Sequence, residues 1–241
     1  MKRQRIRKLL LLVSLLLFPA TFFYFSPVVI IEGAVHGIIG GSAIIFAAMF
    51  VGGIFFGRLF CAFVCPGGGL QECVFHFNDK APKQGKRNLI KYFIWPLWLG
   101  VILFFYAVNL RVLRLDFFYQ TVYGVSVSSV GVLIIYYIVA LVLLLPALIA
   151  GKRATCLYFC WMAPFMIIGE KLGRKLRLPG LYITADGGAC NSCKLCNRSC
   201  PMSVDVASMV EKGRVDSPEC IQCGSCADTC PKKALHYRMG R

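Results

Sequence analysis

The chain has 241 residues, 58% of them hydrophobic and 16% charged, with a mean hydropathy of +0.68; that balance excludes an ordinary soluble domain and points to a membrane protein. The net charge of +16 gathers beside long apolar blocks and not on an aromatic-studded polar face, so it reads as membrane topology and excludes a nucleic-acid partner. Thirteen cysteines, most of them in metal-type or paired spacings beside basic segments, call for a reducing compartment and not for disulfides.

Four apolar blocks, residues 9–31, 37–60, 89–110 and 130–150, approach the ~20 residues that cross a bilayer as helix, and their only charges are Arg58 and Lys91, each near a block end. The first follows Lys2, Arg3, Arg5, Arg7 and Lys8. It is too long for a secretory signal and lacks a small-residue cleavage site, so it reads as an uncleaved span that starts in the cytoplasm. Pro19 and Pro27 lie within it, where they kink the helix or mark its outer end. The second block is rich in Gly, Ala and Ser, the residues that let helices approach closely in lipid. It ends at Arg58, Cys61 and Cys65, before a loop with Lys80, Lys83, Lys86, Arg87 and Lys91. The third block leads to an outer loop with Arg111, Arg114, Asp116 and the aromatic run 117–119, suited to an interfacial belt.

The fourth block returns to Lys152, Arg153, Cys156 and Cys160, and Lys171, Arg174, Lys175 and Arg177 then form a basic segment suited to anionic lipid headgroups. Arg-x-x-Cys-x3-Cys thus occurs twice, at 58–65 and 153–160, each time closing a hairpin of two spans. Such hairpins are related by an axis along the membrane normal, which brings the two pairs together at the cytoplasmic face. Cys61, Cys65, Cys156 and Cys160 read either as redox or metal thiols or as small residues packed at a helix end beside a docked module. Cys73 stands outside every run and reads as a buried small residue.

After Pro179-Gly180 the charge bias disappears and two runs of C-x2-C-x2-C-x3-C-P follow, Cys190, Cys193, Cys196, Cys200 and Cys220, Cys223, Cys226, Cys230. Zinc needs two C-x2-C pairs. Three evenly spaced cysteines with a fourth before proline, repeated once, is the spacing of bacterial two-cluster ferredoxins, in which the fourth cysteine of each run ligates the other cluster. The expected ligand sets are Cys190, Cys193, Cys196 and Cys230 for one [4Fe–4S] cluster, and Cys220, Cys223, Cys226 and Cys200 for the other. With only His36, His76 and His236 available, none of them facing another from the spans, no haem is expected. His36 with Glu32 at the outer side, and Gln71, Glu72 and Glu170 at the inner side, are candidates for contact with quinone or its protons. No nucleophile–base arrangement or phosphate loop is present, so no catalytic residue is assigned.

These features give an all-α polytopic membrane protein of four transmembrane helices in two parallel hairpin repeats, with a small C-terminal α+β bacterial two-[4Fe–4S] ferredoxin domain. Its expected divisions are residues 1–155 for the four-helix domain, 156–183 for a cytoplasmic juxtamembrane segment and 184–241 for the ferredoxin domain. The stretch Gly57-Arg58-Leu59-Phe60-Cys61-Ala62-Phe63-Val64-Cys65-Pro66, the second C-x3-C and the two ferredoxin runs resemble the NapH/NosR/CcoG group of polytopic 4Fe–4S proteins, most of all the NapH-type quinol dehydrogenase subunit. The flavin-attachment domain of NosR has no counterpart here, so no flavin is expected. The resemblance implies a prokaryotic inner-membrane protein with both termini and the ferredoxin module in the cytoplasm. It also implies electron relay between the quinone pool or cytoplasmic donors and a partner oxidoreductase subunit or soluble carrier. Two other functions stay open, a CcoG-like membrane metal reductase or assembly factor and a redox-sensing regulator.

Overall fold

The protein is described by a computed structural model covering residues 2–240, the side chain of His76 excepted. In chain order it contains α1 (Lys2–Leu16), α2 (Phe18–Thr21), α3 (Pro27–Val35), β1 (Ile38–Gly40), α4 (Gly41–Phe56), α5 (Leu59–Phe63), α6 (Pro66–Cys73), α7 (Ile90–Val108) and β2 (Arg114–Asp116). There follow α8 (Val130–Ala150), α9 (Ala154–Tyr158), α10 (Ala163–Lys175), β3 (Gly180–Ala185), α11 (Leu195–Ser199), α12 (Ala207–Val210), α13 (Ser225–Thr229) and β4 (Leu235–Gly240). The chain is mostly helical. β1 pairs in parallel with β2, joining the loops after α3 and α7.

Of the four expected spans, two are single helices long and apolar enough to cross a membrane, Lys86–Val108 and Val130–Ala150. The first block is instead broken. Ser26 leaves the helix in an extended conformation, its hydroxyl accepts from Val29 N, and Pro27 starts α3, because proline suits the first helical turn where no N–H is needed. The second block yields only the 16 residues of α4, which stops where Gly57 takes a φ of +54°. The helices thus show two candidate spans, and the four spans and paired hairpins expected are not shown by them.

A repeat is present with a different frame. Each copy is a long helix (α4 or α8) ended by a glycine of positive φ, Gly57 or Gly151, then a short helix carrying the first cysteine (α5 or α9). A further helix follows (α6 or α10) with proline in its first turn, Pro66 or Pro164. The copies interlock: α4 packs on α10 and α8 on α6. A Cβ on Gly53 would meet the Met166 backbone at 2.8 Å and one on Gly169 would meet the Phe50 carbonyl. Backbones approach this closely only through glycine.

The C-terminal module is closed by antiparallel pairing of β3 with β4, from Gly180 opposite Gly240 to Ala185 opposite Leu235. A polar seam binds it to the helices. Arg3 pairs with Asp228 at 2.5 Å and lies over the Tyr237 ring at 4.5 Å. Gln4 donates to the Cys223 carbonyl at 3.0 Å, and Lys152 to the Arg198 and Cys200 carbonyls at 2.8 and 3.3 Å. Buried Glu219 accepts from Arg58 at 2.9 Å and from Lys91 at 2.6 Å.

Candidate iron–sulfur sites

Two cavities lie in the C-terminal module. One, of about 330 Å³, is lined by Cys190, Cys193, Cys196 and Cys230. The other is a small apolar cavity lined by Cys200, Cys220, Cys223 and Cys226 among Ile183, Val204 and Ile221. Each cavity thus takes three cysteines from one run and the last from the other. The first opens outward, with Cys193 exposed; in the second Cys223 and Cys226 are buried.

The loops around both cavities share one backbone path. Ser192, Lys194 and Ser203 have φ of 56°, 56° and 54°, and thirty residues later Gln222, Gly224 and Lys233 have 55°, 71° and 50°. Left-handed residues interleaved with right-handed ones turn successive N–H groups to one side, forming a concave anion-binding nest. Backbone N–H groups point at sulfur in matching places: Val204 N to Cys200 Sγ and Ala234 N to Cys230 Sγ, both at 3.4 Å. Burial pushes the Cys200 thiol up to about 11 and the Cys220 thiol up to about 12, so these sulfurs become thiolates only against a positive core. Donor type, cavity and inward N–H groups all fit [4Fe–4S] clusters. The sequence carried this signal only as the thirty-residue offset between the runs, since just one of the six left-handed residues is a glycine.

The four other paired cysteines meet where the two repeats interlock. Cys61, Cys65 and Cys156 are buried and Cys160 is partly so. Cys65, Cys156 and Cys160 line one cavity. Gln71 of the first repeat accepts from Thr155 N at 3.1 Å and donates to Cys156 Sγ at 3.1 Å; Arg153 of the second donates to the Cys61 carbonyl at 2.6 Å. Glu72 is held by Arg7 and Arg153, both at 2.6 Å, so it is committed to structure and not free to carry protons. Glu170 pairs with Arg174 at 3.5 Å. Cys73, expected to be buried, is exposed at the end of α6. His36 and His236 are exposed. Among the described residues no three Cys, His, Asp or Glu lie together as ligands of a single metal ion. An apolar cavity of about 210 Å³ reaches Cys65, Cys156 and Cys160 between Phe18, Phe22, Leu143 and Trp161.

Comparison with known proteins finds two kinds of iron–sulfur domain along the chain. Residues 182–231 match the family described as "4Fe-4S dicluster domain", and residues 39–84 and 132–179 each match "4Fe-4S binding domain". The chain is 27% identical over 190 residues to the uncharacterised protein MJ0749 of Methanocaldococcus jannaschii, covering 75% of this chain and 64% of the relative. It is 25% identical over 221 residues to MJ0750 of the same organism, covering 90% and 85%. Against YccM, a candidate electron transport protein of Escherichia coli K12, it is 25% identical over 223 residues, covering 84% and 57%. The matched region is therefore less than two thirds of MJ0749 and of YccM. No solved structure matches. The protein carries 4Fe–4S ferredoxin-type domains, and these domains together with the likeness to YccM support iron–sulfur electron transfer. The NapH-type assignment has no counterpart among these relatives.

Proposed function

We propose that the protein is a multi-pass membrane iron–sulfur electron carrier. In it Cys190, Cys193, Cys196 and Cys230 hold one [4Fe–4S] cluster, and Cys200, Cys220, Cys223 and Cys226 hold a second. The observation that carries this is the crossed lining of the two cavities, three cysteines from one run with the last of the other. When bound, such clusters supply one-electron transfer at negative to mildly positive potentials. The chain's own residues set the direction of access: the Cys193 side faces solution, while the Cys223 side is pressed on the helices through Gln4, Arg58 and Lys152.

Membrane residence rests on α7 and α8. Only 11% and 6% of their apolar windows are buried within the chain, so their exposed leucines, isoleucines and phenylalanines need lipid or another apolar partner, unlike a core helix of a soluble protein. The basic residues of α1 and of the loops before α7 and after α8 lie on the ferredoxin side, which fits a cytoplasmic module and cytoplasmic termini. The apolar cavity beside Cys65 and Trp161 is of the right chemistry for a quinone ring, making the quinone pool a donor or acceptor and a partner oxidoreductase or soluble carrier the other end. The test is anaerobic purification in detergent followed by addition of a quinol to the oxidised protein. Reduction of iron–sulfur absorbance within seconds is expected; a protein containing zinc, or clusters that a soluble reductant reduces and no quinol does, would refute the corresponding part.

A further inference from the structure

The two "4Fe-4S binding domain" matches each bring one C-x3-C pair, Cys61 with Cys65 and Cys156 with Cys160, and neither pair alone supplies the four thiolates that a cluster needs. Interlocking of the repeats supplies them. Cys65, Cys156 and Cys160 line one apolar cavity between the repeats, and buried Cys61 lies beside it with its sulfur 3.9 Å from Met166 Sδ. As in the ferredoxin cavities, no three of them are close enough for a single ion.

Two arginines stand at matching positions of the repeats, Arg58 and Arg153, both 0% exposed. Arg58 stands three residues before Cys61, and Arg153 donates to the Cys61 carbonyl at 2.6 Å. Arg58 Nε and Nη2 and Arg153 Nε are buried with no hydrogen-bond partner, an arrangement that costs stability unless an anion accepts from them.

Their surroundings repeat as well. Arg58 and Lys91 share the single carboxylate of Glu219, and Arg153 and Arg7 share that of Glu72. Each triad therefore carries a net charge of +1, and the pair presents +2 to the four sulfurs. Four neutral thiols would leave that charge buried without balance. A [4Fe–4S]²⁺ core with four thiolates has a net charge of −2.

We propose that Cys61, Cys65, Cys156 and Cys160 hold a third, four-iron cluster shared between the two repeats, with the free N–H groups of Arg58 and Arg153 directed at its sulfurs. Assembly releases the four thiol protons and brings the buried charge to zero. The site lies between the second ferredoxin cavity, to which Arg58 is tied through Glu219, and the apolar cavity that touches Cys65, Cys156 and Cys160. It does not depend on the ferredoxin reading.

The deciding measurement is iron and acid-labile sulfide per chain in the full-length protein purified without oxygen. Three clusters give about twelve irons and two give about eight. Wild type is expected to hold about twelve, the Cys61→Ser/Cys156→Ser variant about eight with the electron paramagnetic resonance of the remaining clusters unchanged, and Cys73→Ser about twelve. A wild-type content of about eight overturns the proposal whatever the variant does, so it stays testable if the variant fails to fold. Stoichiometric copper or zinc removed by the same substitutions overturns it too. About four irons that vanish with Cys61→Ser would uphold this site and refute the ferredoxin clusters instead.

Discussion

Replacing Glu219 by glutamine, one residue before Cys220, tests whether the ferredoxin module is fixed to the helices by charge. The carboxylate is 5% exposed and accepts from Arg58 at 2.9 Å and from Lys91 at 2.6 and 2.7 Å, and both cations have fully buried side chains. Removing the negative charge leaves two buried cations facing each other, and breaking a buried pair in this way costs about 3–5 kcal/mol. A glutamine oxygen still accepts one N–H, which places Glu219→Gln near the low end. At roughly 2–4 °C per kcal/mol for a chain of this size, the expected drop in melting temperature is roughly 6–12 °C. The assay is thermal loss of iron–sulfur absorbance in detergent, run beside Lys91→Met and the double variant. Because Lys91→Met relieves the repulsion that Glu219→Gln creates, the double variant should melt higher than the sum of the two losses implies, by about 1 kcal/mol or more. Strict additivity, or a single-variant drop below about 2 °C, would refute an electrostatic seam of this strength.

Four further outcomes are expected. In Gly224→Ala a new Cβ would meet the Tyr237 ring at 2.6 Å at a φ of +71°, so cluster retention after purification should fall, by a cost of about 1–3 kcal/mol; undiminished iron content would contradict the packing. Lys194, thirty residues earlier at the same left-handed turn with φ of 56°, should gain about 1 kcal/mol as Lys194→Gly, seen as slower loss of cluster absorbance in denaturant. Gly53→Leu would force α4 away from the Met166 backbone, 2.8 Å from the added Cβ, and should abolish folded protein in membranes, whereas Gly52→Leu, with open space around it, should not. Burial pushes the Asp228 carboxyl up, but hydrogen bonds from Arg3 and Gln4 pull it further down, below the usual carboxylate range. Its contribution is therefore complete above the unfolded-state value of about 3.9 and disappears as pH falls through the lower folded value. The difference in melting temperature between wild type and Asp228→Asn should hold from neutral pH down to about 5 and shrink below about 4.

The ferredoxin-type module was legible because its cysteine runs are local. Cys190, Cys193 and Cys196 are set three apart by the sequence itself, and the crossing partner is the only cysteine left over in the other run. The long apolar helices α7 and α8 were legible for a similar reason, since length and composition alone bring them to spanning size. The first apolar block misled because hydropathy does not register a cap: Ser26 and Pro27 start a new helix inside an unbroken apolar run. Cys73 misled because its composition class favours burial, while its place at the end of α6 is decided by what packs there. The basic residues were read as topology signals and, for Arg58 and Arg153, as part of a repeated motif, with no ion-pair partners assigned. Arg3, Arg7, Arg58, Lys91, Lys152 and Arg153 turn out to be engaged with carboxylates and carbonyls of the seam and of the repeat interface, contacts that span up to 225 residues of chain.

The two C-x3-C pairs divide most clearly between the two levels of information. By itself the sequence determined that the pairs exist, that each follows an arginine at the same spacing, and that they recur after equivalent apolar helices, since all of this is written in near-neighbour order. Only the tertiary structure decided that Cys65, Cys156 and Cys160 line one cavity, and that the two buried arginines of the repeats each keep an N–H without a partner. It alone decided that each arginine's carboxylate is also held by a second cation. Those are properties of surfaces brought together by glycine-to-backbone packing of α4 on α10, and a charge balance among groups so far apart along the chain exists only once that packing has closed.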